Sequence, residues 1–420
     1  MNVRLIPSAT GGSIKAIASK SAAHRIAILS AFSDGGVRML CEELNEDIEA
    51  TLRCVSALGA KTERDGKYIN ISPVGELCRG AELDCGESGS TLRFLLPVVA
   101  MLGGEATLLR FGRLPERPLS PLREELAADG AVITDMPDGR LFCGGRVDAT
   151  EFHIRGDVSS QFISGLLLGL AVSGRAGRVN ILDELQSAPY VDITAECIRA
   201  FGVSVSFDGR AYTVDATGGL HSPCEIGVEG DWSNAAFPIA LGAIGDRAVS
   251  IFGLDASSAQ GDRQIIDILG RMGADTEWSG DALTVRPSRL RGVDIDASQI
   301  PDLVPILSVV GALAEGETVI YNAERLRIKE SDRLSAVREV LSTLGANIEE
   351  TADGLRIVGV PSLCGGSVSS FGDHRIAMSV SVASVRCSEA VTLTGAEAVS
   401  KSYPSFFEDM ETLGMRVEKE

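Results

Sequence analysis

The sequence has few aromatic residues, few lysines and no long apolar run. Aromatic side chains make up 5% of the 420 residues, whereas 45% are hydrophobic and 46 are glycine. No segment approaches the roughly 20 apolar residues that span a bilayer, and the amino terminus lacks the apolar stretch of a signal peptide. We therefore expect no membrane partner and a cytoplasmic α/β protein.

The nine cysteines are scattered, without the Cys-X-X-Cys or Cys/His spacings of metal sites. Their odd number argues against a disulfide framework, so buried free thiols are the expected state. The spacing of the cysteines and histidines therefore suggests no metal site. The glycine-containing segment from Glu87 to Arg93 matches neither a Walker motif nor a dinucleotide-binding fingerprint.

Acidic residues outnumber basic ones by 58 to 39, which gives a net charge of −19. This excess argues against nucleic acid as a partner, and we expect a monomer that binds small molecules. Only seven of the basic residues are lysine. Three of these, Lys20, Lys329 and Lys401, lie in the polar motifs described below, which favours a role for a compact ammonium group there.

A polar or charged cluster opens a helix of small apolar residues six times along the chain. The clusters centre on positions 20, 90, 160, 232, 302 and 373, about 70 residues apart. Glycines at 59, 130, 202, 273, 345 and 414 repeat with the same period. Each follows a helical pattern and precedes an alternating one, which predicts a helix, a glycine at its C′ position and then a strand.

Six repeats in a chain too long for one hydrophobic core predict two domains of three repeats each. We place one domain at residues 13–228 and the other at residues 1–12 together with 229–420. The second boundary lies there because His221-Ser222-Pro223 breaks the repeated pattern.

The helix starts also predict where the chemistry lies, since a helix amino terminus has unpaired N–H groups and a partial positive charge. Most polar residues at such positions are only N-caps. However, caps do not require the neighbouring basic residues, which are Lys20, Arg25, Arg93, Lys329, Arg375 and Lys401. The six helix starts together predict a shared site for anions.

The first three clusters offer cations and hydroxyl groups. Lys20, Ser21 and Arg25 surround one helix start, and Gly89 allows close backbone approach beside Arg93. Arg117 lies between prolines in a loop, a rigid setting that suits carboxylate recognition. Neutral donors come from the Ser159-Ser160-Gln161 cluster and from Ser187 in a later loop.

The second half of the chain adds carboxylates. Asp302 stands between Pro301 and an apolar run, so we expect it in a partly dry cavity, where a carboxylate can act as a general base for a hydroxyl proton. Glu330 follows Lys329 in a charged segment that includes Arg333. Such a set suits a pair of anionic substrates, one of which carries an alcohol.

Taken in order along the chain, these motifs resemble the 5-enolpyruvylshikimate-3-phosphate (EPSP) synthase family. The motifs are Lys20-Ser21 with Arg25, Ser88-Gly89-Ser90-Thr91 with Arg93, Glu116-Arg117-Pro118, Ser159-Ser160-Gln161, Ile300-Pro301-Asp302, Lys329-Glu330-Ser331-Asp332-Arg333, Gly372-Asp373-His374-Arg375 and Lys401-Ser402-Tyr403-Pro404. The resemblance implies an inside-out α/β barrel in two domains, each of three βαβαββ units, which close over the substrates. It also implies enolpyruvyl transfer from phosphoenolpyruvate to the 5-hydroxyl of shikimate 3-phosphate, with release of phosphate and no cofactor.

The resemblance assigns roles to the matching positions. Asp302 would accept the hydroxyl proton, Glu330 would protonate the methylene carbon, and Lys20 would contact both ligands. Shikimate 3-phosphate would be bound mainly by the first domain, through Lys20, Ser21, Arg25, Ser159, Ser160, Gln161 and Ser187, with Asp302 and Lys329. Phosphoenolpyruvate would be bound by Lys20, Gly89, Arg93, Arg117, Gln161, Arg333, Arg375 and Lys401.

Two positions depart from the family pattern, and two other functions remain open. Glu87 and Arg325 stand where many relatives have asparagine, so those two contacts differ. UDP-N-acetylglucosamine enolpyruvyl transferase is the first alternative, although the loop Arg113 to Pro118 lacks its cysteine. The second is a non-catalytic binder of phosphorylated metabolites, which would gain nothing from the carboxylates of Asp302 and Glu330.

Overall fold

The chain folds into 24 strands and 12 α-helices, in a computed structural model that describes residues 1–419. The strands are β1 (Asn2–Ile6), β2 (Gly12–Lys15), β3 (Val37–Leu40), β4 (Lys61–Asp65), β5 (Tyr68–Ser72), β6 (Ala81–Asp84), β7 (Ala106–Leu109), β8 (Ala131–Asp135), β9 (Leu141–Gly145), β10 (Glu151–Ile154), β11 (Ala176–Ile181), β12 (Ser204–Phe207), β13 (Ala211–Asp215), β14 (Glu225–Gly227), β15 (Val249–Phe252), β16 (Asp275–Ser279), β17 (Ala282–Arg286), β18 (Asp294–Asp296), β19 (Glu317–Tyr321), β20 (Asn347–Glu350), β21 (Leu355–Val358), β22 (Gly366–Ser369), β23 (Val391–Thr394) and β24 (Arg416–Lys419). The helices are α1 (Lys20–Ala31), α2 (Glu46–Ala57), α3 (Gly89–Leu102), α4 (Leu122–Ala128), α5 (Ser160–Val172), α6 (Ala188–Ala200), α7 (Trp232–Ile244), α8 (Ile265–Met272), α9 (Val304–Leu313), α10 (Arg333–Thr343), α11 (His374–Ser384) and α12 (Phe406–Thr412). Within residues 1–419, no helix is long and apolar enough to cross a membrane.

The strands form six four-stranded sheets of one repeated design. In each sheet a parallel pair, joined by a buried helix in most repeats, is extended by two antiparallel strands, as in the order β6-β7-β9-β8. The glycines at 59, 130, 202, 273, 345 and 414 each follow the second helix of a repeat and have positive φ angles, from 81° to 117°. The predicted order of helix, left-handed glycine and strand is therefore confirmed in all six repeats.

The chain divides into two compact domains. Domain I is Ala18–Val228, and domain II is Met1–Ile17 with Glu229–Glu420. The boundary expected between residues 12 and 13 is wrong by five residues, because β2 pairs in parallel with β15 and so belongs to domain II. At the other end of domain I, β14 pairs in parallel with β3 of the same domain.

A third long-range pairing completes the last repeat. β1 lies between β23 and β24 and is antiparallel to both, so the first strand of the chain takes the place that the sixth repeat leaves empty. Strand pairing therefore ties the amino-terminal segment into domain II at both β1 and β2.

Helices form the centre of each domain, and the sheets cover them. Every residue of α1 from Ala22 to Ala31 is buried, and α3 and α5 are buried almost throughout. In domain II, α7, α9 and α11 contact one another in the same way. Helices that are apolar on all sides are stable only when they are surrounded by protein, which explains the small apolar residues of the repeats.

Five of the six polar clusters supply an N-cap, as their position predicts. Ser19, Ser88, Ser159, Asp231 and Asp373 each accept a hydrogen bond from a backbone N–H in the first turn of the helix that follows. The fifth cluster is different, because it forms a 3₁₀ turn (Pro301–Leu303) without a side-chain cap. Asp302 lies inside this turn rather than at its N-cap position, which is Ile300.

The extensive contact between α3 and α5 in domain I includes two glycines of α5, Gly165 and Gly169. A Cβ atom added at Gly165 would lie 2.2 Å from the carbonyl oxygen of Arg93. At Gly169 the nearest atom to an added Cβ would be Met101 Sδ, at 2.7 Å. The backbone of α3 can therefore approach α5 only because the first position has no side chain.

Replacing Gly165 with alanine should destabilise domain I by about 2 to 4 kcal/mol, because a backbone oxygen cannot move aside as a side chain can. Gly169→Ala is the matched control. The Gly169→Ala change should lower the free energy of unfolding by less than about 1.5 kcal/mol, because Met101 is flexible and alanine favours the helix. Urea unfolding of the two variants measures both values, and equal destabilisation would contradict the proposed contact.

Candidate active site

Arg25 is a buried cation of domain I that several hydrogen bonds hold in place. Its side chain donates to Thr194 Oγ1 at 2.6 Å and to the carbonyl oxygens of Ser21 at 2.6 Å and Tyr190 at 2.8 Å. The guanidinium carbon lies 4.6 Å from the centre of the Phe94 ring. Burial lowers the pKa of Arg25 to about 10, so the group stays charged at neutral pH. A fixed, partly desolvated guanidinium is suited to bind an anion.

Lys20 begins α1 and pairs with a carboxylate that the sequence did not mark. Its Nζ lies 2.9 Å from Asp47 Oδ2, and both side chains are less than a fifth exposed, at 16% and 18%. Asp47 follows the N-cap Asn45 at the start of α2, where acidic residues are common for helix-dipole reasons alone. An anion that binds Lys20 must therefore compete with Asp47.

Gly89, Arg93, Arg117 and Gln161 meet at the start of α3. Arg93 donates to Gln161 Oε1 at 2.8 Å, and Gln161 Nε2 donates to Ser90 Oγ at 2.9 Å. A Cβ atom added at Gly89 would lie 2.6 Å from Arg93 Nη1 and 2.9 Å from Arg117 Nη1. The glycine therefore lets two guanidinium groups approach the amino terminus of a helix.

The serines of the third repeat have different environments. Ser159 caps α5, Ser160 is 6% exposed, and Ser187 is 3% exposed just before α6. Ser187 has a φ of 55°, in the left-handed region that residues other than glycine seldom occupy. Such strain is retained where the surrounding structure fixes it, and it is frequent at ligand sites.

Arg333 lies at the centre of the charged cluster of domain II. It donates to Asp373 Oδ2 at 2.8 Å, to Asp302 Oδ1 at 2.7 Å and to Glu330 Oε2 at 2.8 Å. Burial disfavours its charge, but the three carboxylates outweigh burial and raise its pKa above the usual value. One guanidinium thus brings together both carboxylates that were predicted to be catalytic.

Asp302 also contacts two further cations. Its Oδ2 lies 3.3 Å from Arg375 Nη2, and its Oδ1 lies 3.9 Å from Lys329 Nζ. Burial alone would raise the pKa of Asp302, but Arg375, Lys329 and Arg333 hold it well below the usual range. The pKa of Lys329 is lowered to about 8, chiefly by burial. Asp302 is therefore an ionised, paired carboxylate here.

Lys401 ends a 3₁₀ helix (Ala396–Lys401) and donates from Nζ to the carbonyl oxygen of Gly372 at 3.0 Å. Gly372 directly precedes the N-cap of α11, so Lys401 lies beside the helix start that carries Arg375. The structure thus brings together the predicted residues of domain II around one helix start and one arginine.

Asp262 is a buried carboxyl group that the sequence analysis missed. It is 2% exposed, and burial together with Asp302 raises its pKa to about 6, against the opposing charge of Arg375. Ser233 hydrogen-bonds with Asp262 and accepts from Arg375 Nη2 at 2.7 Å. No pattern in the sequence marks Asp262, because it lies in a 3₁₀ turn (Gly261–Gln264) rather than at a helix start.

The two clusters supply hydrogen-bond donors, positive charge and carboxylates. Within residues 1–419, no group of three or more His, Cys, Asp or Glu side chains could hold a metal ion. All nine cysteines are free thiols, of which Cys78, Cys224 and Cys364 are exposed. Acid–base chemistry on anionic ligands is what these side chains can perform.

Asp262 should make the stability of the chain depend on pH in a predictable direction. Its folded pKa of about 6 exceeds the unfolded value, so its contribution is present in acid and is lost as pH rises through 6. Asp262→Asn resembles the protonated form. Relative to the wild type, it should gain on the order of 1 kcal/mol of unfolding free energy between pH 5 and pH 8.

Urea unfolding at the two pH values measures this gain. Asp281→Asn, at an exposed position, is the control and should show no such change. A constant difference between Asp262→Asn and the wild type at both pH values would contradict the titration of Asp262.

Comparison with known proteins identifies the family. The sequence profile of the EPSP synthase family (3-phosphoshikimate 1-carboxyvinyltransferase) matches residues 6–410. A 3-phosphoshikimate 1-carboxyvinyltransferase from Clostridium kluyveri is 39% identical over 99% of this chain and 98% of its own. Another, from Clostridium perfringens, is 41% identical over 98% of both chains.

Solved structures agree in fold. An EPSP synthase from Acinetobacter baumannii aligns over 100% of both chains with a TM-score of 0.82 and 26% identity. The enolpyruvyl transferase NikO from Streptomyces tendae aligns over 99% of this chain and 98% of its own, with a TM-score of 0.78 and 20% identity, which shows the fold alone. The fold class expected from the sequence, a two-domain inside-out α/β barrel of six repeats, is confirmed. The chain belongs to the EPSP synthase family.

Proposed function

We propose that the chain transfers the enolpyruvyl group of phosphoenolpyruvate to the 5-hydroxyl of shikimate 3-phosphate and releases phosphate. The reaction serves the shikimate pathway, which leads to chorismate and the aromatic amino acids. The observation that carries the proposal is the cluster in which Arg333 binds both Asp302 and Glu330, in a chain that matches the family over nearly its whole length.

The ligand contacts divide between the domains in the proposal. Domain I mainly binds shikimate 3-phosphate, whereas domain II carries the carboxylates and part of the phosphoenolpyruvate site. Shikimate 3-phosphate contacts Lys20, Ser21, Arg25, Ser159, Ser160, Gln161, Ser187, Asp302 and Lys329. Phosphoenolpyruvate contacts Lys20, Gly89, Arg93, Arg117, Gln161, Arg333, Arg375 and Lys401.

The chemistry requires one proton donor and one proton acceptor. Glu330 protonates the methylene carbon of phosphoenolpyruvate, so that the neighbouring carbon becomes electrophilic. The 5-hydroxyl oxygen attacks that carbon and gives its proton to Asp302, which yields a tetrahedral adduct. The methyl group then returns a proton to Glu330 as the carbon–oxygen bond to phosphate breaks, and Asp302 gives its proton to the departing phosphate, which leaves the enol ether. The cations stabilise the departing phosphate.

Ligand binding also prepares Asp302 to accept a proton. Arg333 and Arg375 contact Asp302, and Arg333 contacts Glu330. When the anionic groups of phosphoenolpyruvate bind these arginines, the carboxylates share their cationic partners with the ligand. A carboxylate that loses part of a cationic contact binds a proton more tightly. Asp302 thereby becomes a better proton acceptor when the ligand takes over part of its contact with the arginines.

We also propose that the protein acts as a cytoplasmic monomer on small molecules, without nucleic acid or membrane partners. The net charge of −19 supports this view, because it opposes association with other polyanions.

The reaction itself is tested by phosphate release from phosphoenolpyruvate with either of two acceptors. Release with shikimate 3-phosphate alone supports the proposal, whereas release with UDP-N-acetylglucosamine alone would assign the sister activity. Asp302→Asn and Glu330→Gln should each lower kcat by about 10²- to 10⁴-fold, because each removes a proton-transfer group.

Two exposed positions supply the matched controls for these variants. Asp294→Asn and Glu324→Gln make the same chemical changes and should leave turnover unchanged. If Asp302→Asn and Glu330→Gln kept wild-type kcat while ligand affinity was unaltered, the assigned proton transfers would be wrong.

Gly89→Ala should weaken phosphoenolpyruvate binding without unfolding the chain. The added methyl group would meet the ends of the flexible Arg93 and Arg117 side chains, which can move aside but then leave their positions at the helix start. We expect KM for phosphoenolpyruvate to rise about tenfold, with a smaller change for shikimate 3-phosphate. In the control Gly75→Ala, the added methyl group meets no described atom within 4 Å. Equal KM values for Gly89→Ala and Gly75→Ala would contradict the role of Gly89.

A further inference from the structure

A buried chain of hydrogen bonds connects α1 to the amino terminus of α3 in domain I. His24 Nδ1 lies 2.7 Å from Thr51 Oγ1, which lies 2.7 Å from Thr91 Oγ1. Thr91 Oγ1 donates to Ser88 Oγ at 2.9 Å. All four residues are at most 1% exposed. Every hydrogen bond of this series is therefore shielded from solvent.

The direction of each hydrogen bond follows from its last link. Because Thr91 donates its only hydroxyl proton to Ser88, it must accept from Thr51. Thr51 has then used its own proton and must accept from His24. His24 therefore carries its proton on Nδ1, and its Nε2 is a buried acceptor without a hydrogen-bond partner in the described structure.

The surroundings of His24 favour the same neutral form. Burial, followed by the charges of Lys20 and Arg25, holds its pKa well below the usual value. A protonated ring would also place an unpaired N–H at Nε2 in a buried position. The ring packs edge-on against Phe94, with centroids 6.4 Å apart. His24 is thus a fixed neutral donor rather than a charge.

The two ends of this series of hydrogen bonds, His24 and Ser88, lie beside proposed ligand contacts. His24 stands next to Arg25 and within one turn of Lys20 on α1. Ser88 is the N-cap of α3 and directly precedes Gly89. Phe94 contacts both Arg25 and the His24 ring, and it follows Arg93 on α3. A shift at either end would move one set of anion-binding groups relative to the other.

We propose that His24 is a positioning residue, whose Nδ1–H, through Thr51 and Thr91, orients the Ser88 cap and so aligns Gly89 and Arg93 with Lys20 and Arg25. The inference rests on the proposed function, since these groups are the ones assigned to the two substrates. His24 itself contacts neither ligand in this role. Its loss should therefore act on binding more than on the chemical step.

Two amide substitutions separate this role from simple filling of space. The amide nitrogen of Asn lies near the position of Nδ1, whereas that of Gln lies near Nε2. His24→Asn should keep KM for phosphoenolpyruvate within about twofold, while His24→Gln should raise it about tenfold, with kcat changed by less than about threefold. Equal KM values for the two variants at equal thermal stability would overturn the proposal.

Thr91 provides an independent pair. Thr91→Ser keeps the hydroxyl group and should behave as the wild type, whereas Thr91→Val breaks two links and should resemble His24→Gln. If either poor variant failed to fold, the other pair would still decide the question. Wild-type kinetics for Thr91→Val in a folded protein would refute the hydrogen-bond chain.

The tautomer provides a readout that needs no turnover. Nitrogen-15 NMR of the histidine side chains should show His24 protonated at Nδ1 and neutral near pH 7, and a proton on Nε2 would contradict the assigned direction. Calorimetric titration with phosphoenolpyruvate repeats the comparison of variants without catalysis. If the wild type released no phosphate, the proposed function would fail, but the tautomer and the binding comparison would still test His24.

Discussion

The charged cluster of domain II depends on one buried ion pair, between Arg333 and Asp373. The two side chains are 1% and 0% exposed, and Nε donates to Oδ2 at 2.8 Å. Asp373 also caps α11 by accepting from the backbone of Arg375 at 2.9 Å. A single carboxylate thus fixes one arginine by direct contact and places the other through the helix start. Without Asp373, Arg333 would lose its most deeply buried partner. Removing one partner of a buried ion pair is strongly destabilising, because the remaining charge stays buried without compensation.

The same ion pairs explain why the cluster around Arg333 contains so many carboxylates. Buried guanidinium groups need charged partners, and Asp302, Glu330 and Asp373 provide them. Only Asp373 is fully enclosed, whereas Asp302 and Glu330 retain 16% and 22% exposure. The enclosed carboxylate therefore keeps the arginine in position, whereas the other two carboxylates are more accessible. The cluster thus combines fixed cationic groups with carboxylates that offset their charge.

The sequence predicted those features of the fold that depend only on neighbouring residues. Serine and aspartate caps and left-handed glycines act within a few residues, so five caps and all six glycines occur where the period placed them. The pairings of β2 with β15 and of β14 with β3 could not be predicted in this way, because each strand pairs with a partner far along the chain. For the same reason the sequence identified Asp302, Glu330 and Arg333 one by one, but not the role of Asp373, which lies 40 residues from Arg333. Asp47 and Asp262 were missed because their local settings have ordinary structural explanations.

In domain I, close backbone packing rather than a buried ion pair fixes the position of a cationic side chain. The absence of a side chain at Gly165 lets α5 approach the carbonyl oxygen of Arg93, so the backbone at that residue is fixed by contact. The guanidinium of Arg93 is then directed by Gln161 from the first turn of α5. Both contacts come from α5. This helix therefore fixes the position of the Arg93 backbone and also the position of its guanidinium group. The small residues of the repeats therefore allow long cationic side chains to occupy defined positions. Bulkier residues at the centre of these helices would displace those side chains before they unfolded the domain.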